Sequence, residues 1–428
     1  MKGIVLYTLI FVCSLTTGQS ITEPEELFEE GQFFFVRKDY KEALYFFKQL
    51  HKTDETNANF NFKVGECYLN IQGQEHLAVP YFEVASKKTV PKRDYKSKDF
   101  KERNAPLHAL FYLGNAYRMA GDLENALRAY RTFIDSPYFY GNYNFGVVEG
   151  EMESCERAKI IHDSPIEMTK TLISEPISTS FSEFRPVTSH DGKKLAFVRG
   201  LKFYDGVFVA EQKNGEWSTP VNISPEIGSD GDFYPTGMNS NGTVILLARE
   251  FEGNSDIYST TFDGLNWSKA VKLSGKINSL ANESFASFGE NDNVIYLVSE
   301  RQGSKGNKDI WVSKRSGKKW SKPKNLGKAI NTEFDETSPV LCRQNNTLFF
   351  SSKGHYNMGG YDIFYTNKNE KNWSVPKNIG YPLNTTRDDF NYMVLPNCNT
   401  GYYSIIDPES GIADIYLIEV NTLLAIPE

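Results

Sequence analysis

The sequence predicts a two-part α+β molecule: a stack of helical hairpins followed by a five-bladed all-β propeller. Three observations carry that prediction. Residues 24–137 repeat small and aromatic side chains at helical spacing. From about residue 165, short alternating strands separated by Gly, Asn and Asp turns recur with a period of about 50. The 428 residues are 40% apolar and 14% aromatic, enough to build cores and too much for a disordered chain. A net charge of −7 gives no reason to expect nucleic-acid binding. The five cysteines form no CxxC pair or Cys/His cluster, which excludes a zinc scaffold.

The chain opens with Met1-Lys2, an apolar run from Ile4 to Val12, and Thr16-Thr17-Gly18 before Gln19. Nine apolar residues are too few to span about 30 Å of hydrocarbon. Residues 1–18 read as a secretory signal peptide, and the bulky Val12 before Cys13 argues against lipidation. The mature chain is expected in the periplasm. There Cys67, Cys155, Cys342 and Cys398 are permitted a disulfide, although their spacing shows none. The simpler reading is four small buried side chains.

Residues 22–162 form the helical part. Leu27, Gly31, Phe34, Tyr40, Ala43 and Phe47 make the first unit. Gly65, Tyr68, Ala78 and Phe82 make the second, and Leu113, Gly114, Tyr117, Gly121, Ala126, Tyr130 and Pro137 the third. Small residues let paired helices approach closely, and aromatics fill the space between hairpins. These residues resemble the tetratricopeptide (TPR) repeat. Residues 146–162 read as an amphipathic capping helix.

Residues 165–428 form the propeller. Trp217-Ser218, Trp267-Ser268, Trp320-Ser321 and Trp373-Ser374 mark its period. A second marker is Asp256-Ile257-Tyr258, repeated at Asp309, Asp362 and Asp414. The third is an acidic residue opening a strand: Glu183, Asp232, Glu283, Glu336 and Asp389, the last three preceded at one offset by Asn278, Asn331 and Asn384. Units of this length are propeller blades. The fifth lacks a Trp-Ser strand, so residues 165–173 are expected to complete it and close the ring.

Gly359-Gly360-Tyr361-Asp362-Ile363, Trp373 through Gly380, and Asn331-Thr332 through Asp335-Glu336 resemble the TolB-like propeller repeats of Bacteroidota envelope proteins. A TPR stack followed by five such blades resembles the front part of the PorE type. That resemblance implies other envelope proteins as partners, an open question of outer-membrane association, and a place in type IX secretion or gliding machinery. Its OmpA-like peptidoglycan-binding domain has no counterpart in these residues, so peptidoglycan binding is not expected.

Catalytic signatures are missing. The nearest string to a Gly-x-Ser-x-Gly elbow, Gly253 through Ile257, lacks the final Gly. The six histidines are scattered, with no His-Glu-x-x-His. There is no phosphate loop and no dinucleotide fingerprint. The expectation is a non-enzyme without cofactor or metal, acting as a protein-interaction scaffold. The alternative is a glycan- or cation-binding receptor using the propeller channel or rim.

Four candidate features follow. The five acidic residues either ring the channel and hold a cation or accept backbone N–H groups from turns in their own blades. The four Trp residues either stack on sugars or pack between blades. Residues 86–104 carry a basic cluster including Lys92, Arg93, Lys96 and Lys98, either a solvated linker or a dock for an acidic partner. Phe28, Phe62 and Phe111 hold equivalent places on successive hairpins, and either line an apolar trough or belong to the core.

Overall fold

The structure is a computed structural model that describes residues 23–421, apart from 252, 345, 370 and 371. The expected signal peptide lies outside the described residues. Three helical hairpins come first: α1 (Pro24–Val36) with α2 (Tyr40–His51), α3 (Ala58–Leu69) with α4 (Val79–Ala85), and α5 (Ala109–Met119) with α6 (Leu123–Ile134). A lone helix, α7 (Phe145–His162), ends the stack. Asp39, Asn57, Asp122 and Asn144 cap α2, α3, α6 and α7 by accepting first-turn N–H groups.

The glycines explain the close pairing. A Cβ on Gly31, Gly65 or Gly114 would run into the ring of Phe47, Phe82 or Tyr130 on the second helix of the same hairpin. Only Gly leaves room for those rings, which are fully buried.

The 86–104 insertion is an ordered loop. Thr89–Val90 pairs in parallel with Ala105–Pro106. The buried Glu102 accepts the N–H groups of Lys96, Arg103 and Asn104. Tyr95 and Phe100 pack on the helical core.

Five antiparallel sheets form the propeller. Their inner strands or strand starts are Glu183–Thr188, Phe233–Met238, Glu283–Phe288, Glu336–Cys342 and Met393–Val394. In blade 5, Met168–Leu172 adds to Ala413–Val420 as the outer strand, joining the two ends of the ring as residues 165–173 were expected to do.

Each sequence marker has a local cause. The hydroxyl of Ser218, Ser268, Ser321 or Ser374 accepts the N–H of the third-strand residue seven positions earlier, every time at 3.1 Å. Asn278, Asn331 and Asn384 each accept from the N–H and donate to the C=O of the Ile in the Asp-Ile-aromatic triplet (Ile257, Ile310, Ile363), at 2.7–2.9 Å. A side-chain amide here imitates a strand neighbour and satisfies a buried backbone pair.

One expectation is corrected. Cys342 and Cys398 are not two separate small core residues. They form a disulfide, Cα–Cα 5.7 Å, from the inner strand of blade 4 to a turn of blade 5. The residues stand 56 apart, about one repeat, and the packing of neighbouring blades 4 and 5 brings them together. Cys67 and Cys155 are buried free thiols.

Candidate interaction site at the junction of the modules

The helical stack rests on blades 4 and 5. Arg118, near the end of α5, is almost fully buried. It faces Glu151 of α7 at 3.1 Å and donates to the carbonyl of Thr386 in the loop leading to blade 5. Burial pulls this guanidinium toward the neutral form, but Glu151, Tyr130 and Cys155 together outweigh it and raise its pKa. Arg157 of α7 donates to the carbonyl and side chain of Asn357 in blade 4, at 2.9 and 2.8 Å. Arg387 returns the contact, donating to the Met119 carbonyl at 3.0 Å. Gly359 is required here, since a Cβ would strike the Arg118 guanidinium. Three arginines thus satisfy carbonyls that the junction removes from water.

Beside this seam lies a cleft of about 670 Å³. The turn after α3 (Asn70, Gln72, Gly73, Glu75) forms one wall, and blade 5 (Lys170, Arg387, Asp388, Tyr403, Ile405, Ile406) forms the other. Its floor carries a group of acids. Asp389 is buried and accepts from Tyr403 at 2.8 Å and from the N–H and hydroxyl of Thr385 at 2.6 and 2.9 Å. Burial raises its pKa to about 7. Asp362 is raised well above the usual range by burial and by the charge of Asp389.

The five recurrent carboxylates are held within their own blades. Glu183 accepts from Thr179 and Arg199 at 2.6 and 2.7 Å. Glu283 accepts from Ser279, Ser299 and Arg301 at 2.6–2.9 Å. Glu336 accepts from Thr332 and Ser352 at 2.7–3.0 Å, and Asp232 pairs with Arg249. Asp389 sits ahead of its inner strand rather than opening it. Among the described residues, no group of three His, Cys, Asp or Glu is placed to hold a metal ion.

The tryptophans sit at blade joints. Trp217 lies 6.5 Å from Tyr402 of blade 5, and Trp373 lies 6.4 Å from Tyr296 of blade 3. Trp267 packs on the cluster shared by blades 1 and 2, and Trp320 on the cluster shared by blades 2 and 3. The channel is filled. Cavities of about 40 and 10 Å³ lie between its inner strands. At one end Arg343 donates to Asp292 at 2.7 Å and Asp292 accepts from Ser240, so blades 2, 3 and 4 are tied across it.

The trough expected from Phe28, Phe62 and Phe111 does not form as a unit. Phe28 and Phe62 are 2% and 1% exposed. Phe62 packs against Phe82 and Tyr112, and Phe28 against Phe47 and Phe100. Phe111 is half-buried against Tyr130 and Phe133. Their equivalent positions turn them toward the second helix of their own hairpin, where burial is worth most. Lys92, Arg93, Lys96 and Lys98 are all exposed on the ordered loop, away from the seam arginines in sequence. The seam residues Arg118, Arg157 and Arg387 hold no recurring position of either repeat, so no periodic signal pointed to them.

A model of the tetratricopeptide repeat matches residues 108–137, which hold α5 and α6. No curated protein matches the chain. Among solved structures, TolB from Acinetobacter baumannii is 15% identical with a TM-score of 0.36, over 56% of this chain and 55% of that one. The chain therefore spans about half the length of that protein. Putative TolB from Agrobacterium tumefaciens is 14% identical with a TM-score of 0.33, over 54% and 72%. A thermostable family-43 glycoside hydrolase is 14% identical with a TM-score of 0.42, over 60% and 97%. Among the described residues, no helix is long and apolar enough to cross a membrane.

Proposed function

We propose that this protein is a non-catalytic interaction scaffold of the bacterial envelope, working in the periplasm as part of a type IX secretion or gliding assembly. The observation that carries the scaffold reading is the seam. Arg118, Arg157 and Arg387 fasten a helical-repeat surface to a propeller surface, with a cleft of about 670 Å³ between them. A partner meeting a preformed composite surface loses less ordering entropy than one that must assemble it. The leader at residues 1–18 and the Cys342–Cys398 disulfide support an oxidising compartment. The place in the machinery rests on the resemblance of the repeats. The receptor alternative is not favoured, because the recurrent acids and tryptophans are engaged inside the propeller and the channel is filled.

The test is site-specific photo-cross-linking in cells. A photoreactive residue at Gln72 in the cleft should yield one discrete adduct, absent when the same residue replaces exposed Leu265 on blade 2. Equal or diffuse labelling from both positions counts against the scaffold reading. Fractionation that leaves the mature chain in the cytoplasm counts against the envelope assignment.

A further inference from the structure

The last helix of the stack is half of a hairpin. In the three complete hairpins, Gly31, Gly65 and Gly114 are covered by an aromatic ring from the second helix. α7 carries Gly150, and a Cβ there would meet nothing within 4 Å. After α7 the chain runs straight into Met168–Leu172, a strand of the propeller, with no pairing helix between. Along α6 and α7 runs an apolar groove of about 620 Å³. Leu127 and Ile134 of α6 face it one heptad apart, and Phe145, Met152 and Ile160 follow α7 at steps of seven and eight. Such spacing puts each set on one helix face. Phe145 and Ile160 are 42% and 62% exposed, which is unusual for side chains aligned along a groove.

The rim decides what fits. Glu149, Glu153 and Glu156 line the groove; Arg157, which also engages Asn357, pairs with Glu153 at 3.2 Å and Lys159 pairs with Glu156 at 3.3 Å, so the carboxylates still outnumber the cations. A second copy of the chain laid on the same face would set these carboxylates against their own images, which like-charge repulsion opposes.

We propose that the groove between α6 and α7 receives an amphipathic helix of a partner protein, apolar on one face and flanked by Lys or Arg, that completes the unfinished hairpin. This rests on the scaffold reading and names the partner's chemistry. The groove follows about 15 residues of α7, so about four turns of partner helix can lie along it.

The probe is a fluorescent 16-residue helical peptide with a Leu/Phe face and Lys flanks, and a control in which every Lys is Glu. Anisotropy with the full chain should show the Lys peptide binding at least tenfold tighter than the control. E149K/E153K/E156K should reverse that preference. Ile160→Asp should weaken binding at least tenfold with Tm unchanged, since the side chain is mostly exposed, whereas K92E/K96E should leave binding as it was. Equal affinity for both peptides, no binding below millimolar, or indifference to I160D overturns the proposal. So does sedimentation showing a dimer that I160D dissociates, which would give the face to a second copy. If Gln72 cross-links in cells while the groove ignores the peptide, the groove assignment falls and the scaffold reading stands.

Discussion

Blades 1 to 3 and blades 4 and 5 carry the same buried acidic position and neutralise it differently. In the first three an arginine from the neighbouring strand closes on the carboxylate: Arg199 on Glu183, Arg249 on Asp232, Arg301 on Glu283. In the last two the partners are hydroxyls, Ser352 on Glu336 and Tyr403 on Asp389. The consequence is electrostatic. Burial lifts Glu336 and Asp389 to about 7, with no opposing cation in their own blades. These are also the blades on which the helical stack sits, where Arg118 reaches Thr386 and lies against Gly359. A repeated motif can keep its geometry while the groups that neutralise it change from blade to blade.

The largest test of that contrast is Arg301→Ala. It leaves Glu283, with no exposed surface, facing only hydroxyls and a backbone N–H, and should cost about 4 kcal/mol in urea unfolding. A loss below about 1 kcal/mol would mean the arginines of blades 1 to 3 are ornamental and would erase the difference between the two groups of blades.

Next is Arg118→Ala. Removing it strands Glu151 and the Thr386 carbonyl and should cost about 3 kcal/mol. The seam should loosen before either module unfolds, so limited proteolysis should cut between α7 and blade 1 in the variant and spare the parent. Unchanged proteolysis would show that Arg157 and Arg387 hold the seam alone.

The pH test sharpens the contrast further. Glu336 and Asp389 hold their protons in the folded state up to about pH 7, whereas an unfolded carboxylate releases its proton near 4. Between those values the folded chain binds more protons, so stability falls as pH rises through the window. E336Q/D389N should flatten the slope of unfolding free energy between pH 4 and 8. A parent whose stability is level across that range would show that these two acids ionise normally.

The smallest effect expected is from Ser352→Ala, about 1 kcal/mol, because one hydroxyl donor is lost and Thr332 still serves Glu336. A cost matching that of Arg301→Ala would show that hydroxyl and guanidinium are equivalent at this position.

Much of the architecture was legible in the chain because repeats impose the same local environment again and again. Trp-Ser recurs in blades 1 to 4 since each uses a hydroxyl to hold its third strand and a large ring to fill the joint with the preceding blade. Asn278, Asn331 and Asn384 recur since each satisfies one buried backbone pair. The candidate site was far less legible. Phe28, Phe62 and Phe111 keep equivalent positions, but periodicity does not distinguish a face turned to a groove from one turned to the next hairpin.

The number of hairpins and blades and their order were determined by the sequence alone, since each depends on burial patterns within about 50 residues. Which surfaces remain free was decided only by the tertiary structure. Arg118 meets Thr386 across 268 positions, and Cys342 meets Cys398 only once blades 4 and 5 pack side by side. Such contacts occur once, so no period announces them. Their partners are set by how two rigid bodies dock, which depends on shape and charge summed over both.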